Sequence, residues 1–434
     1  MGKAKKPTKT PQLLSPRIIV QNVAGGDQHI LVSALEGLSV ADGSDIIPDD
    51  KTWSHSVPGN VGPNAVRDEP SITGPVSVCK EARSEEEFLE VRSTADRGLA
   101  VFATCKIKAG TLVLVERALI ALDKDEENDY GAVERAFSRL SRAEQRMYLY
   151  LFDAQKSRMS RVVSIYYSNC YNCEAFRPGG QGGSAIGALS SRINHSCVPN
   201  VQFSFDEARN EMRFYAIRDI PRGKEVCSNY DKAVFEVAAK RQRKQQMYYG
   251  FVCRCEACDP KTEFWARSDE RRRGMYDAIR AVQWCEKKLA AAESGAAAVT
   301  ATTSDKSQVG ARARAGDSNA GAGADAVTES VLVVVDEALA FLTKLESLLL
   351  KESLVGVPLA NTYRSMAKWA ERKGDKAKGT DEAVQWKAKE LEASVTALGR
   401  EGQRTKEIEA WLRRHSVPEG GAGGGGGVRG ILGV

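Results

Sequence analysis

The sequence lacks the features that mark a membrane or secreted protein. No run of about 18 apolar residues occurs, which excludes a helix that spans a bilayer. No apolar stretch near the start resembles a secretory signal, and Lys6 stands where an N-myristoylation signal needs Ser or Thr. We therefore expect a reducing, intracellular compartment, in the nucleus or the cytoplasm, and no membrane partner.

A strong charge of one sign is also absent. The formal net charge is only +5 over 434 residues, so the chain is not a polycation built for nucleic acid. The basic stretches KAKKPTK and KRQRKQQ keep a nucleic-acid module open as one interpretation. We interpret the first as a solvated tail or a nuclear-localisation signal and the second as the solvated face of a helix, and we expect no specific nucleic-acid binding.

Composition separates a β-rich part of the chain from a helical part. Apolar residues make up 42% of the sequence, which is enough for a core. Segments rich in Gly, Pro, Ser, Thr or Ala cannot bury enough apolar surface to order themselves. The predicted divisions are a disordered arm at 1–75, a β-rich domain at 76–260 with a helical insertion at 131–157, a helical region at 261–415 with a disordered insertion at 291–327, and a flexible glycine-rich tail at 416–434.

Within the β-rich part, local patterns predict individual elements. The apolar stretch 99–122 predicts a pair of strands around a turn at 108–110. Residues 201–206 and 211–220 alternate as in a hairpin. The stretch VVSIYYSNCYN at 162–172 has strand-like composition, and 232–249 predicts a basic helix that leads to Cys253.

Three of the ten cysteines fall within six residues, at Cys253, Cys255 and Cys258. Thiolates at this spacing can converge on one ion, and zinc is the usual metal of sulfur-only tetrahedral sites. A structural zinc then needs one more ligand, either a distant thiolate or water; three incidental cysteines at a helix end are the alternative. Cys170 and Cys173 are a weaker candidate for a redox or second zinc site, because residues three apart on a strand point to opposite faces.

The stretch SRINHSCVPN places His195, one of only four histidines, two positions before Cys197. This pattern is compatible with a metal site or with a nucleophilic Cys–His pair. Residues so close in the chain seldom point at one another, so we expect no dyad between them. Cys197 is better suited to supply the missing fourth thiolate, and Pro199 favours a tight local path.

Four motifs occur in a fixed order along the chain. They are DRGLAVFA at 96–103, NHSCVPN at 194–200, RDIPRGKEVCSNYD at 218–231 and YYGFVCRCEACD at 248–259. Together they resemble the SET-domain protein lysine methyltransferases over roughly residues 76 to 260. The resemblance implies an α+β fold in which a β-rich SET domain with a helical insertion precedes a cysteine-rich post-SET zinc tail and a C-terminal helical region. That helical region is similar to the appendage of SMYD-like proteins and their fungal relatives, although no MYND finger is visible.

The resemblance implies a function and a set of site residues. A monomer would transfer methyl groups from S-adenosylmethionine to a lysine of a protein substrate, a histone or another protein. Tyr230 would be catalytic rather than a buried tyrosine at a strand end, and Tyr249 would line the lysine channel. The implied cofactor contacts are Arg97, Gly98, Asn169, Asn194, His195, Tyr230 and Phe251, and the implied ligands of a structural zinc are Cys197, Cys253, Cys255 and Cys258.

The sequence departs from the family pattern at two positions. Ser228 and Gln246 stand where the family usually has an apolar residue and a leucine, and both changes could weaken packing around the site. The competing hypothesis is therefore a catalytically weak SET-type scaffold that acts in protein–protein interaction through its C-terminal helices.

Overall fold

The computed structural model describes residues 88–173, 182–231, 234–304, 320–373 and 376–415. The predicted arm at 1–75, the first residues of the predicted β-rich domain up to 87 and the predicted tail at 416–434 lie outside this part of the chain.

Short strands form four small sheets within the described residues. The three-stranded sheets have the orders β3-β9-β8 and β4-β6-β5, and the two-stranded sheets pair β1 with β2 and β7 with β10. The strands are β1 (Leu89–Thr94), β2 (Gly98–Ala103), β3 (Leu112–Arg117), β4 (Ile120–Asp123), β5 (Tyr171–Asn172), β6 (Gly183–Ile186), β7 (Asn194–His195), β8 (Val201–Asp206), β9 (Glu211–Ala216) and β10 (Cys227–Ser228).

Helices are grouped in an insertion within the β-rich part and in the region that follows it. Among the described residues, none of them is long and apolar enough to cross a membrane. The helices are α1 (Tyr130–Ser138), α2 (Arg142–Leu149), α3 (Arg161–Asn169), α4 (Ala238–Tyr249), α5 (Glu263–Ser304), α6 (Ala320–Lys351), α7 (Val357–Ala370), α8 (Lys376–Leu398) and α9 (Gln403–His415). The predicted α+β class, with a β-rich part followed by a helical part, is confirmed.

The predicted hairpin is confirmed as β8 and β9, which pair from Val201 with Ala216 to Asp206 with Glu211. Asn210 closes its turn with a φ of 53°, a left-handed conformation that asparagine tolerates better than most residues. The strands predicted at 99–122 are also present, but β2 pairs with β1 and β3 pairs with β9. The turn at 108–110 therefore joins strands of two different sheets.

The strand-like assignment of 162–172 is wrong for most of its length, because residues 161–169 form helix α3. Ser160 caps this helix by accepting a hydrogen bond from the Val163 amide. Val163, Ile165 and Tyr166 are all buried, in a cluster shared with α1, α2, β4 and β6. A short apolar run buried on several sides has no helical period to read, so tertiary packing decides its conformation.

The predicted disordered insertion at 291–327 is wrong at both ends. Helix α5 continues to Ser304, and α6 already begins at Ala320. Alanine has the highest helix propensity, so the run Ala296–Ala298 extends a helix that has started upstream. Residues 305–319 lie outside the described part of the chain.

The C-terminal helices contact the β-rich part along β8 and β9. Helix α8 lies against both strands, and Ile217 packs with Ala397 and Leu398 at its end. Helices α5, α6 and α7 share a separate apolar cluster that includes Met275, Leu342 and Met366. The helical region therefore has its own core and also covers one sheet.

Candidate active site and cysteine cluster

The site is built where two short strands run side by side. β7 and β10 pair in parallel, with Asn194 opposite Cys227 and His195 opposite Ser228. This pairing brings Tyr230, which follows β10, next to the NHSC turn. The main-chain amide of Tyr230 donates to His195 Nδ1 at 3.1 Å, and the Tyr230 hydroxyl donates to the carbonyl of Ile193 at 2.7 Å.

An aromatic group surrounds Tyr230. Its ring centroid lies 5.2 Å from those of both His195 and Tyr249. Phe251 lies 6.3 Å from Tyr249 and 6.0 Å from His195. Gly250 makes this arrangement possible, because its φ of 78° ends α4 and turns the chain between the last two rings. The structure thus brings together four of the residues predicted for the site.

The Tyr230 hydroxyl is neutral at physiological pH. Burial raises the pKa of Tyr230 well above its ordinary value, and the nearby phenol of Tyr171 raises it further. The residue as a whole keeps partial exposure. A protonated phenol with a fixed orientation can position a substrate but cannot act as a strong base.

The four predicted zinc ligands converge. The Sγ atoms of Cys197, Cys253, Cys255 and Cys258 all lie within 4.8 Å of one another. The Cys197 sulfur is 3.9 Å from that of Cys253 and 3.6 Å from that of Cys258. A tetrahedral zinc with Zn–S bonds of about 2.3 Å separates its sulfurs by about 3.8 Å. The donor set and its spacing therefore fit zinc.

The protonation of the cluster also points to a cation. Hydrogen bonding to Cys197 raises the pKa of the Cys253 thiol and lowers the pKa of Cys255. Four sulfurs this close, three of them buried, repel one another as thiolates unless a positive charge lies among them. A bound metal removes that conflict, since its ligands lose their protons on binding.

The premise that residues so close in the chain seldom point at one another fails for His195 and Cys197. His195 Nε2 lies 3.2 Å from Cys197 Sγ, and both side chains are buried. The turn after β7 folds back within two residues, which residue spacing alone does not reveal. The imidazole therefore lies between a metal-ligand candidate and Tyr230, with both ring nitrogens engaged inside the protein.

Glu225 is a site residue that the sequence reasoning missed. Its carboxylate accepts from Arg97 NH2 at 2.6 Å and from Asn194 Nδ2 at 2.9 Å. Glu225 thereby connects two predicted cofactor-binding residues that are far apart in the chain. An isolated β-bridge between Phe102 and Glu225 places Glu225 beside β2. Its only signal in the sequence was an acidic residue two positions before β10.

Gly98 and Asn169 stand in different surroundings. Gly98 has a φ of 67°, and a Cβ at that position would meet no atom within 4 Å, so the main chain borders open space. Asn169 ends helix α3, and its Nδ2 donates to the carbonyls of Phe152 and Ile165, each at 2.7 Å. Its amide nitrogen is thus engaged in the packing of the helical insertion.

Neither departure from the family pattern leaves a packing defect. Ser228 is buried, but its hydroxyl lies 3.3 Å from that of Tyr171, which in turn donates to the Ser190 carbonyl. Gln246 is exposed on α4, where no leucine is needed for packing.

The basic helix α4 is not solvated on all sides. Arg241 of the KRQRKQQ stretch is buried, and its NH2 donates to the Ala257 carbonyl at 2.8 Å and to Cys258 Sγ at 3.3 Å. Burial opposes its charge, but the nearby sulfurs of Cys197 and Cys258 outweigh burial and raise the pKa of Arg241. The interpretation of this stretch as a solvated face is therefore wrong at Arg241, because one turn of α4 faces the cysteine cluster.

The C-terminal helices also reach the cluster. Arg272 of α5 is fully buried, and its NH2 donates to the Cys197 carbonyl at 2.8 Å. Its Nε donates to Glu352, which follows α6, at 2.8 Å. The Glu352 carboxylate also accepts from Ser268 and Arg271. The turn that carries Cys197 is thus held from both parts of the molecule.

Comparisons with known proteins agree with this geometry. The family model described as "SET domain" matches residues 98–231. Histone-lysine N-methyltransferase set5 of Schizosaccharomyces pombe is 28% identical over 174 residues, which cover 40% of this chain and 51% of that protein. Protein-lysine N-trimethyltransferase SMYD5 of Homo sapiens is 35% identical over 108 residues, 24% of each chain. N-lysine methyltransferase SMYD2-B of Danio rerio is 33% identical over 91 residues, which cover 21% of this chain and 20% of that protein.

The chain spans about half the length of the fission yeast relative and a quarter or less of the two SMYD proteins. The matched range runs from Gly98 through the β7–β10 pair to the residue after Tyr230, and the three-cysteine tail follows it. The motif order and the family match therefore show that residues 98–231 of this chain are similar to the SET domain.

Proposed function

We propose that this protein transfers methyl groups from S-adenosylmethionine to the side-chain amine of a lysine in a protein substrate. The observation that carries the proposal is the state of Tyr230. Its phenol is neutral, its hydroxyl and amide are both held, and it belongs to an aromatic group with His195, Tyr249 and Phe251. The relatives named as lysine methyltransferases support the same chemistry.

The reaction requires a neutral amine held in line with the methyl group. Free lysine has a pKa near 10.4, so a proton must leave before attack. Desolvation among Tyr230 and Tyr249 disfavours the ammonium form, and their ring faces suit the lysine stem. Because the Tyr230 hydroxyl donates to Ile193, its oxygen lone pairs remain available to orient an amine N–H.

The cofactor would be held by residues of the first, second and fourth motifs. When bound, S-adenosylmethionine supplies an electrophilic methyl group on a sulfonium. The exposed Arg97 guanidinium offers charge for a carboxylate, and Gly98 offers main chain beside open space. Asn194, fixed by Glu225, and the main chain of His195 would complete the polar contacts, with Phe251 as the apolar face. Asn169 stays a prediction as a further contact.

The cysteine cluster would hold a structural zinc that fixes the tail after α4 against the site. Four protein sulfurs would fill every position of a tetrahedral ion, which would leave none for catalysis. We propose a monomer that acts on a histone or another protein, in the nucleus, the cytoplasm or both. The substrate class follows the names of the relatives, which include histone-lysine and protein-lysine methyltransferases.

The test is transfer of a labelled methyl group to histones and to a lysate panel. Tyr230→Phe keeps the ring but removes the hydroxyl, so we expect the rate to fall about 100-fold or more, or the degree of methylation to change. Tyr248→Phe is the matched control, since Tyr248 is adjacent to the site in sequence but exposed, and its rate should stay at the wild-type value. Wild-type protein that neither binds S-adenosylmethionine nor transfers methyl contradicts the proposal. Binding without transfer supports the scaffold hypothesis instead.

A further inference from the structure

The two hydrogen bonds of His195 fix its protonation. Nδ1 accepts the Tyr230 amide at 3.1 Å, so it carries a lone pair and not a proton. In the neutral ring the proton then resides on Nε2, the atom 3.2 Å from Cys197 Sγ. The geometry therefore makes Nε2–H a donor to the sulfur. Only this neutral tautomer satisfies both contacts at once.

Both contacts are shielded from water. His195 is 6% exposed and Cys197 is 2% exposed, so solvent cannot replace either bond easily. The His195 ring also packs near those of Tyr230 and Phe251, with ring centroids 5.2 Å and 6.0 Å away. A change of ring orientation at His195 would therefore disturb the sulfur, the Tyr230 main chain and the aromatic group together.

We infer that His195 is a positioning residue that couples the cysteine cluster to Tyr230. The Tyr230 amide contacts the ring at Nδ1 and the Cys197 sulfur contacts it at Nε2, so one rigid ring links the position of the sulfur to that of the Tyr230 main chain. An ion held by the four sulfurs would fix the position of the Cys197 sulfur and with it the ring orientation in which Nδ1 receives the Tyr230 amide. The coupling rests on the role proposed for Tyr230, and it makes metal content a regulator of the tyrosine's position.

Two amide variants separate the contact at Nδ1 of His195 from the contact at Nε2. A glutamine side chain extends its NH2 to about the place of Nε2, so His195→Gln keeps a donor to Cys197 and loses the acceptor for Tyr230. An asparagine oxygen occupies about the place of Nδ1, so His195→Asn keeps the acceptor and loses the donor. Both variants lose the ring packing against Phe251, so any difference between them reports on the hydrogen bonds.

Zinc affinity and turnover are measured on the full chain, with zinc titrated against a chromophoric chelator. We expect His195→Asn to weaken zinc binding by about 10- to 100-fold, as for other partners of metal ligands. Because His195→Gln keeps the donor to Cys197, its zinc affinity should stay within about threefold of the wild-type value. At saturating zinc, kcat should be lower in the glutamine variant than in the asparagine variant. Equal zinc affinity in the two variants would overturn the coupling.

The wild-type protein provides a test that depends on neither folding of a variant nor methyl transfer. Nitrogen-15 NMR of the histidines should show His195 protonated on Nε2 when zinc is bound, with a changed ring signal and a shifted Tyr230 amide after chelation. A zinc-loaded spectrum with the proton on Nδ1, or a Tyr230 amide that does not respond to zinc removal, contradicts the inference. Because these signals need no substrate, their failure is distinct from a failure of the proposed methyl transfer.

Discussion

Arg272 and Arg404 are both buried guanidinium groups, and each is paired with a buried glutamate. Arg272 donates to Glu352 at 2.8 Å, and Arg404 donates to Glu390 at 3.1 Å. Their remaining contacts differ. Arg272 reaches the Cys197 carbonyl, whereas Arg404 reaches the side chain of Asn361 on α7. The first pair joins the helical region to the cysteine cluster, and the second joins α7, α8 and α9 to one another.

The difference shows that a buried arginine–glutamate pair can support a candidate site in one place and only the packing of helices in another. Taking two charges out of water is costly, so a buried ion pair is weak evidence for stability and better evidence for a fixed arrangement. Burial lowers the pKa of both arginines, to about 10 for Arg404. Since Arg272 fixes the turn that carries Cys197, helices α5 and α6 are part of the site and not only an appendage beside it.

The largest expected effect is that of Arg272→Met, which removes the link between the two regions. In this variant Glu352 keeps Arg271 as its ion-pair partner, and the Cys197 carbonyl loses the hydrogen bond from Arg272. We expect the free energy of unfolding to fall by about 3–5 kcal/mol and zinc affinity to fall with it. Urea unfolding and zinc competition measure the two quantities. Arg273→Met is the control, since Arg273 is exposed one position along the same helix. Unchanged zinc affinity would mean that the helices do not support the cluster.

Arg404→Met should destabilise the protein without reaching the site. Glu390 keeps Arg364 and Lys387 as partners, so the loss of unfolding free energy should be nearer the lower end of the range for a broken buried pair, about 3 kcal/mol. Zinc affinity and kcat of the folded variant should equal those of wild type. Arg414→Met, on the exposed end of α9, is the matched control. A loss of zinc binding here would erase the distinction between the two buried pairs.

The smallest effect is a pH dependence of the second pair. Burial raises the pKa of Glu390, but Lys387, Arg404 and Arg364 outweigh burial and lower it below its ordinary value. A carboxylate with a lowered folded-state pKa stabilises the protein above its unfolded-state pKa, and this stabilisation is lost as pH falls through the folded-state pKa. The stability difference between wild type and Glu390→Gln should thus be constant near neutral pH and shrink below about pH 4.5, close to the free glutamate pKa. Urea midpoints measured from pH 7 downward test this; a difference that grows on acidification contradicts it.

The sequence predicts the parts of the site that depend on spacing. Cys253, Cys255 and Cys258 could be read as metal ligands because thiolates at that spacing meet easily, and Tyr230 followed from its motif. The contact between His195 and Cys197 depends on how a turn folds back, which spacing does not encode. The burial of Arg241 and Arg272 was hidden because charged residues normally lie at the surface and only their partners can place them inside.

The helix and strand predictions also succeeded where a local pattern decided the structure and failed where packing decided it. The hairpin β8–β9 was predictable because its alternation matches one buried face and its turn falls at Asn210. Helix α3 was not, because a run of β-branched and aromatic residues buried on several sides reads as a strand. The extension of α5 was missed because its composition resembles a linker, although alanine favours helix where a helix already exists.

The span of the Arg272–Glu352 bond has a consequence for biosynthesis. The cysteine sulfurs of Cys197 and Cys258 are 61 positions apart, and Arg272 finds its glutamate 80 positions later. Contacts of such long range close slowly, and a ribosome delivers residues from the N-terminus onward. Before residue 352 has been synthesised, Arg272 lacks the carboxylate that pairs with it in the folded protein. The Arg272–Glu352 bond therefore forms only after α6 has emerged, and a chain that stops before Glu352 would carry all four motifs without this ion pair.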